Sequence, residues 1–171
     1  MRLLVGLVGA LALSACSDVI FKPAFQSYQV YLEPAQLGYE VDQKGQIIIV
    51  VNKAYVQVAP GAPEGFLESY EYTVLDDAGN EVFPGESLGS GTVGIRIPPG
   101  RKEVGGGNFV YETTKSDPFT FSLDGRVAQE HLAQGAPLNW RYQVTWHART
   151  SNGKEISWVQ EYQIKYPLRG Q

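Results

Sequence analysis

The stretch 139–166, NWRYQVTWHARTSNGKEISWVQEYQIKY, constrains the fold of this chain more than any other. Trp140, Tyr142, Val144, Trp146 and Ala148 alternate with Arg141, Gln143, Thr145, His147 and Arg149. That period of two belongs to a strand with one apolar and one wet face. Ile156, Trp158, Tyr162 and Ile164 share a parity downstream, interrupted by Gln160. Ser151-Asn152-Gly153 between the arms is a turn signal, so the stretch reads as a long β-hairpin.

The turn fixes the register, because opposed residues of an antiparallel pair share a face. A two-residue Asn152-Gly153 loop sets His147 against Trp158 and mixes the faces. A three-residue loop pairs Thr150 with Lys154, Ala148 with Ile156, Trp146 with Trp158, Tyr142 with Tyr162 and Trp140 with Ile164, and the faces agree. This is the loop made by a type I turn followed by a left-handed residue in a G1 bulge, a role that suits Gly153. All three Trp residues of the chain lie on one face of the hairpin, which is expected to line the core. The wet face opposes Arg149 to Glu155, His147 to Ser157, Thr145 to Val159, Gln143 to Glu161 and Arg141 to Gln163. Its cations already face partners, so it is expected to be a solvated surface without a specific site.

Strand signals recur upstream. Residues 28–32 alternate. Residues 46–51, QIIIVV, are apolar on both parities, as in a central buried strand, with a continuation into 54–58 after a kink near Asn52-Lys53. Residues 69–75 form another strand, and the turn Asp77-Ala78-Gly79 brings Val82 opposite Val74. Val93, Ile95 and Ile97 alternate before Pro98-Pro99-Gly100; Gly105-Gly106-Gly107 is a flexible loop; strands follow at 108–113 and 119–123. Residues 126–134 are the one helical stretch, with Asp124 or Gly125 to start it and Gly135 to end it. Eight or so strands without βαβ alternation point to an all-β, antiparallel β-sandwich with at most one short connector helix; the alternative is a small β-barrel. The strand spacing and long terminal hairpin resemble immunoglobulin or fibronectin type III domains in architecture. No Cys…Trp…Cys framework accompanies that resemblance.

The first sixteen residues, MRLLVGLVGALALSAC, are a targeting segment rather than part of the fold. Arg2 supplies a short positive region, and the apolar run 3–13 is too short to span a bilayer comfortably. Leu13, Ser14, Ala15 and Cys16 match the bacterial lipobox at every position, so the N-terminus resembles that of bacterial lipoproteins. The resemblance covers only these residues. It implies cleavage before Cys16, a diacylglyceryl thioether on its sulfur and acylation of its amine. Several acyl chains exceed what stable anchoring needs. Ser17 after the cysteine is, by the family's rule, compatible with outer-membrane sorting in a Gram-negative source; otherwise the anchor lies on the outer face of the cytoplasmic membrane. Cys16 is the sole cysteine of the chain, so no intramolecular disulfide can form. The expected organisation is a signal peptide over 1–15, a lipidated cysteine and tether over 16–27, and a single β-sandwich domain over 28–171.

Composition excludes some partners. The net charge is −4, and removal of 1–15 takes away Arg2 alone, leaving −5. Scattered charges in a mildly acidic chain argue against nucleic acid, and no basic cluster would hold an anionic membrane by charge alone.

Catalytic and metal motifs are equally sparse. His131 and His147 are the only histidines, neither has a ligand-spaced partner, and both read as surface or connector residues. Gly89-Ser90-Gly91-Thr92 lacks the lysine and following helix of a phosphate loop, and no G-x-S-x-G elbow occurs. The acidic turn 76–81 lacks the alternating ligands of a calcium loop. No cofactor is expected. The expectation is a non-enzymatic, lipid-anchored envelope protein that binds an envelope protein or polysaccharide, or has a structural role. A carbohydrate- or cell-wall-binding module is the alternative, for which the loop aromatics Tyr39, Phe66 and Phe109 are the residues to inspect. Binding is expected in the loops 59–68 and 98–118, where sandwiches commonly carry it.

Overall fold

The computed structural model describes residues 27–85 and 89–168. The lipobox, Cys16 and the tether up to residue 26 lie outside the described residues. The elements in chain order are β1 (Tyr28–Glu33), β2 (Leu37–Val41), β3 (Ile47–Ile49), β4 (Val51–Val58), β5 (Gly65–Leu75), β6 (Ser90–Ile97), β7 (Arg101–Gly105), β8 (Asn108–Tyr111), β9 (Thr114–Lys115), β10 (Phe119–Ser122), α1 (Gly125–Ala133), β11 (Arg141–Thr150) and β12 (Glu155–Lys165). The protein is all-β: a larger sheet ordered β3-β2-β12-β11-β5-β6 faces a smaller sheet β1-β4-β10, with β9 beside β4. The larger sheet ends at β3 and β6 without joining them, so the result is a sandwich rather than a closed barrel. It is antiparallel except where β12 runs parallel to β2, Ile164 beside Leu37.

The closing hairpin takes the register set by its turn. Trp146 opposes Trp158, Tyr142 opposes Tyr162 and Arg149 opposes Glu155. Gly153 has φ +84°, and the Thr150 N–H donates to the Lys154 carbonyl at 2.9 Å. The apolar face is core: Trp140, Tyr142, Val144, Trp146, Ala148 and Ile164 are all buried. Phe121 of the smaller sheet packs against it, 5.0 Å from both the Trp146 and Tyr70 rings. Such aromatic contacts contribute beyond their buried area.

Gln160, which breaks the apolar parity, faces inward and closes an edge. The Val30 N–H donates to its Oε1 at 2.6 Å, its Nε2 donates to the Val30 carbonyl at 3.2 Å, and the Trp158 indole donates to the same Oε1 at 2.9 Å. The Tyr162 hydroxyl adds a second donor to the Val30 carbonyl. Edge strand β1 therefore meets side chains at Val30 where a neighbouring strand would stand, and both Val30 peptide groups are satisfied.

Four sequence expectations need correction. Residues 46–51 are not one central strand: β3 is an edge strand with Ile48 half exposed, and the chain leaves it at Val50 to enter the other sheet as β4. The switch is pinned by Asn52, fully buried, whose amide donates to the Pro34 and Gln36 carbonyls at 2.7 and 2.9 Å. An all-apolar run cannot distinguish a buried strand from one crossing between sheets. Tyr39 is not a loop aromatic; it lies in β2, fully buried. The loop expected over 59–68 gives way to β5 at Gly65, and the one over 98–118 folds a separate hairpin, β7–β8. His131 is on the connector helix as expected but is not a surface residue: it is 1% exposed.

Helix α1 has the expected caps. The Asp124 carboxylate accepts from the Arg126 N–H, and Gly135 ends the helix at φ +83°. Val127, Ala128 and His131 turn inward and close one end of the sandwich beneath Tyr39 and Trp140.

Candidate functional site

The two segments expected to carry binding converge at one end of the sandwich. The Gly61 N–H donates to the Gly100 carbonyl and the Gly100 N–H to the Ala62 carbonyl, each at 2.8 Å. A Cβ at Gly100 would stand 1.9 Å from the Ala59 carbonyl oxygen, so only glycine permits this approach. The Thr114 hydroxyl holds the Pro99 carbonyl, and the Ser151 N–H of the closing turn donates to the Glu64 carbonyl. Between them lies a groove of about 280 Å³ lined by Pro63, Glu64, Pro99, Arg101, Tyr111 and Ser151, among others.

From this end β7 and β8 project as a hairpin whose strands pair only with one another, and every residue of both strands is exposed. Arg101 lies over the Phe109 ring at 4.4 Å. Ser27, the first described residue, sits at the same end: its carbonyl accepts from the Ala59 N–H, and the Tyr28 hydroxyl donates to the Pro63 carbonyl.

The opposite end carries a shallow polar depression of about 440 Å³ lined by Asp77, Asn139, Arg141, Glu161 and Gln163. Arg141 pairs with Glu161 at 3.3 Å, while its Nε has no hydrogen-bond partner among the described residues. The Asn139 N–H reaches Asp77 at 3.2 Å. The acidic turn beside it spends its carboxylate on its own backbone. Asp76 accepts from the Ala78 and Asn80 N–H groups, and these bonds, the one from Asn80 first, hold its pKa below the usual value. Among the described residues no three His, Cys, Asp or Glu side chains converge as metal ligands.

The wet face keeps the expected pairs: Arg149 meets Glu155 at 2.9 Å and Gln143 meets Glu161 at 2.9 Å. Glu68, displaced by a bulge in β5, adds a second carboxylate on Arg149. These bonds raise the already high Arg149 pKa, the one to Glu68 first. His147 Nδ1 and the Ser157 hydroxyl are 2.9 Å apart, a nucleophile–base distance. Among the described residues the other ring nitrogen has no hydrogen-bond partner, so the third, orienting group of a triad is not seen there.

His131 is engaged on both ring nitrogens, with the Tyr39 hydroxyl at 2.9 Å and the Pro137 carbonyl at 2.8 Å. Burial lowers its pKa and, with Tyr166 beside it, pushes that of Tyr39 up to about 12. The pair is neutral and structural.

Of the aromatics named for inspection, Tyr39 is core, Phe66 is half exposed on the outer face of β5, and Phe109 is on the projecting hairpin. Sequence reasoning placed the two loops but not their adjacency, and it missed β7. Alternating exposed side chains in a lone hairpin leave no burial signal to read.

No family model and no curated protein matches the chain. Among solved structures it is similar to one titled "X-ray structure of Northeast Structural Genomics Consortium target SoR45", at 11% identity and a TM-score of 0.42, over 84% of this chain and 89% of that one. A likeness at that level supports no reading of function.

Proposed function

We propose that the protein is a non-enzymatic, lipid-anchored β-sandwich of the bacterial cell envelope, serving as a partner-binding or structural element. The observation that carries this reading is Leu13-Ser14-Ala15-Cys16 after a short apolar run, with Cys16 the chain's sole thiol. The tether 17–27 reaches at most about 35–40 Å, so the sandwich stays close to the bilayer. Ser27, eleven residues after Cys16, is hydrogen-bonded to Ala59 at the end bearing Gly61, Gly100 and the β7–β8 hairpin, which favours an orientation with that end toward the membrane. That orientation takes the loops 59–68 and 98–118 toward lipid, which departs from the expectation that they carry partner binding and that the face around Arg141 has no site, and leaves the depression around Arg141 facing outward, open to an envelope protein or polysaccharide. The exposed aromatics Tyr31, Phe66, Phe109 and Tyr111 are divided between both sheets and the hairpin rather than aligned across one sheet, which favours this reading over a sugar-binding platform.

Cell fractionation tests the proposal. Wild-type protein is expected in the detergent-extracted membrane fraction. Cys16→Ser is expected either to appear in the soluble fraction or to accumulate with its signal peptide uncleaved. Equal, detergent-independent recovery of both in the soluble fraction would refute it.

A further inference from the structure

We propose that the β7–β8 hairpin is a second membrane contact, its tip seated at headgroup level in the bilayer that holds the acylated Cys16; this rests on the anchor reading above. Three observations converge on it. First, Val104, Phe109, Val110 and Tyr111 are 46–66% exposed, a concentration of large apolar side chains within eight residues.

Second, the apolar groups occupy both faces of the hairpin. Phe109 and Tyr111 stand opposite Glu103 and Arg101 on one side, and Val110 stands opposite Lys102 on the other. A protein partner docking on one face would leave the other in water, whereas a lipid interface surrounds both. Third, the hairpin and Ser27, eleven residues after Cys16, share one end of the sandwich, joined through Ala59, Gly61 and Gly100. The strand β7 is about 17 Å long at ~3.3 Å per residue, within the reach of the tether.

The depth follows from the polar groups. The peptide groups of Gly105-Gly106-Gly107 at the tip need hydrogen-bonding partners that hydrocarbon lacks. The Glu103 carboxylate likewise excludes deep burial. Arg101 and Lys102 are balanced by Glu103 and Glu112, so the seating draws on the apolar side chains rather than on charge.

The test uses the full chain purified in detergent and reconstituted into phosphatidylethanolamine vesicles containing phosphatidylglycerol. Val110→Cys carries a nitrobenzoxadiazole dye, and Leu138→Cys, exposed at the opposite end, is the control. Neither position belongs to the core, so both variants should fold. Acylation leaves the engineered cysteine as the one free thiol, so one dye per chain is expected. The dye at 110 should shift to the blue in vesicles and be quenched by nitroxide-bearing lipids, while the dye at 138 stays unchanged. Adding Phe109→Ser should lower the equilibrium constant for hairpin–lipid contact about tenfold, as expected for withdrawing one large apolar side chain. One dye per chain without quenching at 110 overturns the hairpin contact and leaves the anchor standing. Two dyes per chain show a free Cys16 and overturn the anchor, and the second contact with it. A dye at 110 shielded in lipid-free solution, with self-association by light scattering, assigns the hairpin to a second copy of the chain and also overturns the proposal.

Discussion

Replacing Gln160 by Leu restores the apolar parity of β12 and is expected to destabilise the protein. The Gln160 amide accepts from the Val30 N–H at 2.6 Å and from the Trp158 indole at 2.9 Å. Leu leaves both donors without their partner, while the Val30 carbonyl keeps the Tyr162 hydroxyl. An orphaned buried donor costs roughly 1–3 kcal/mol. The half-buried position admits some water, which places the two donors toward the lower half of that range. Added apolar burial by Leu returns about 1 kcal/mol. The net loss is about 2 kcal/mol, or about 4–8 °C in Tm for a chain of this size. Urea denaturation should show a lower midpoint at unchanged slope. Trp158→Phe removes the N–H together with part of the ring; the packing loss is common to both backgrounds, so the substitution should cost less in the Gln160→Leu background than alone, with a coupling of about 1 kcal/mol. A Gln160→Leu protein as stable as the wild type would refute the claim that this amide closes the β1 edge.

Other perturbations test the remaining supports. Gly153→Val should cost about 1–2 kcal/mol in urea denaturation: nothing lies within 4 Å of the added Cβ, so the penalty is the φ of +84° alone, and Gly153→Asn should recover much of it. Asn52→Asp should destabilise more than Asn52→Ala, itself expected to lose about 2 kcal/mol, because a carboxylate would face the Pro34 and Gln36 carbonyls. His131 is neutral in the fold with its pKa lowered by burial, whereas the unfolded chain takes up that proton below about pH 6.5. Stability is thus fully present above that pH and falls as pH drops toward the depressed folded value. Thermal melts from pH 8 to 5 should show this decline, and His131→Phe should flatten it.

The closing hairpin was legible because three constraints agreed: a period of two, a Gly turn, and facing aromatics that match in one register only. The helix ends were legible because Asp124 and Gly135 act locally. Residues whose partners are distant in sequence were not. Gln160 reads as a flaw until Val30, 130 residues away, is placed beside it. Tyr39 reads as a loop aromatic because Leu37–Val41 is a short strand flanked by Pro34 and the 42–45 turn, and its burial depends on α1 and Tyr166. The end bearing Gly61 and Gly100 was half legible: glycines and prolines marked both loops, but only the paired Gly61 and Gly100 hydrogen bonds show that they meet.

The central claim is that the sandwich is held to a membrane through Cys16, and mass spectrometry of the N-terminal peptide from membrane-extracted protein tests it most directly. The expected peptide begins at Cys16 with a diacylglyceryl thioether and an acylated amine. A mature, folded protein from its native host that still begins at Met1, or one with an unmodified Cys16, would contradict it.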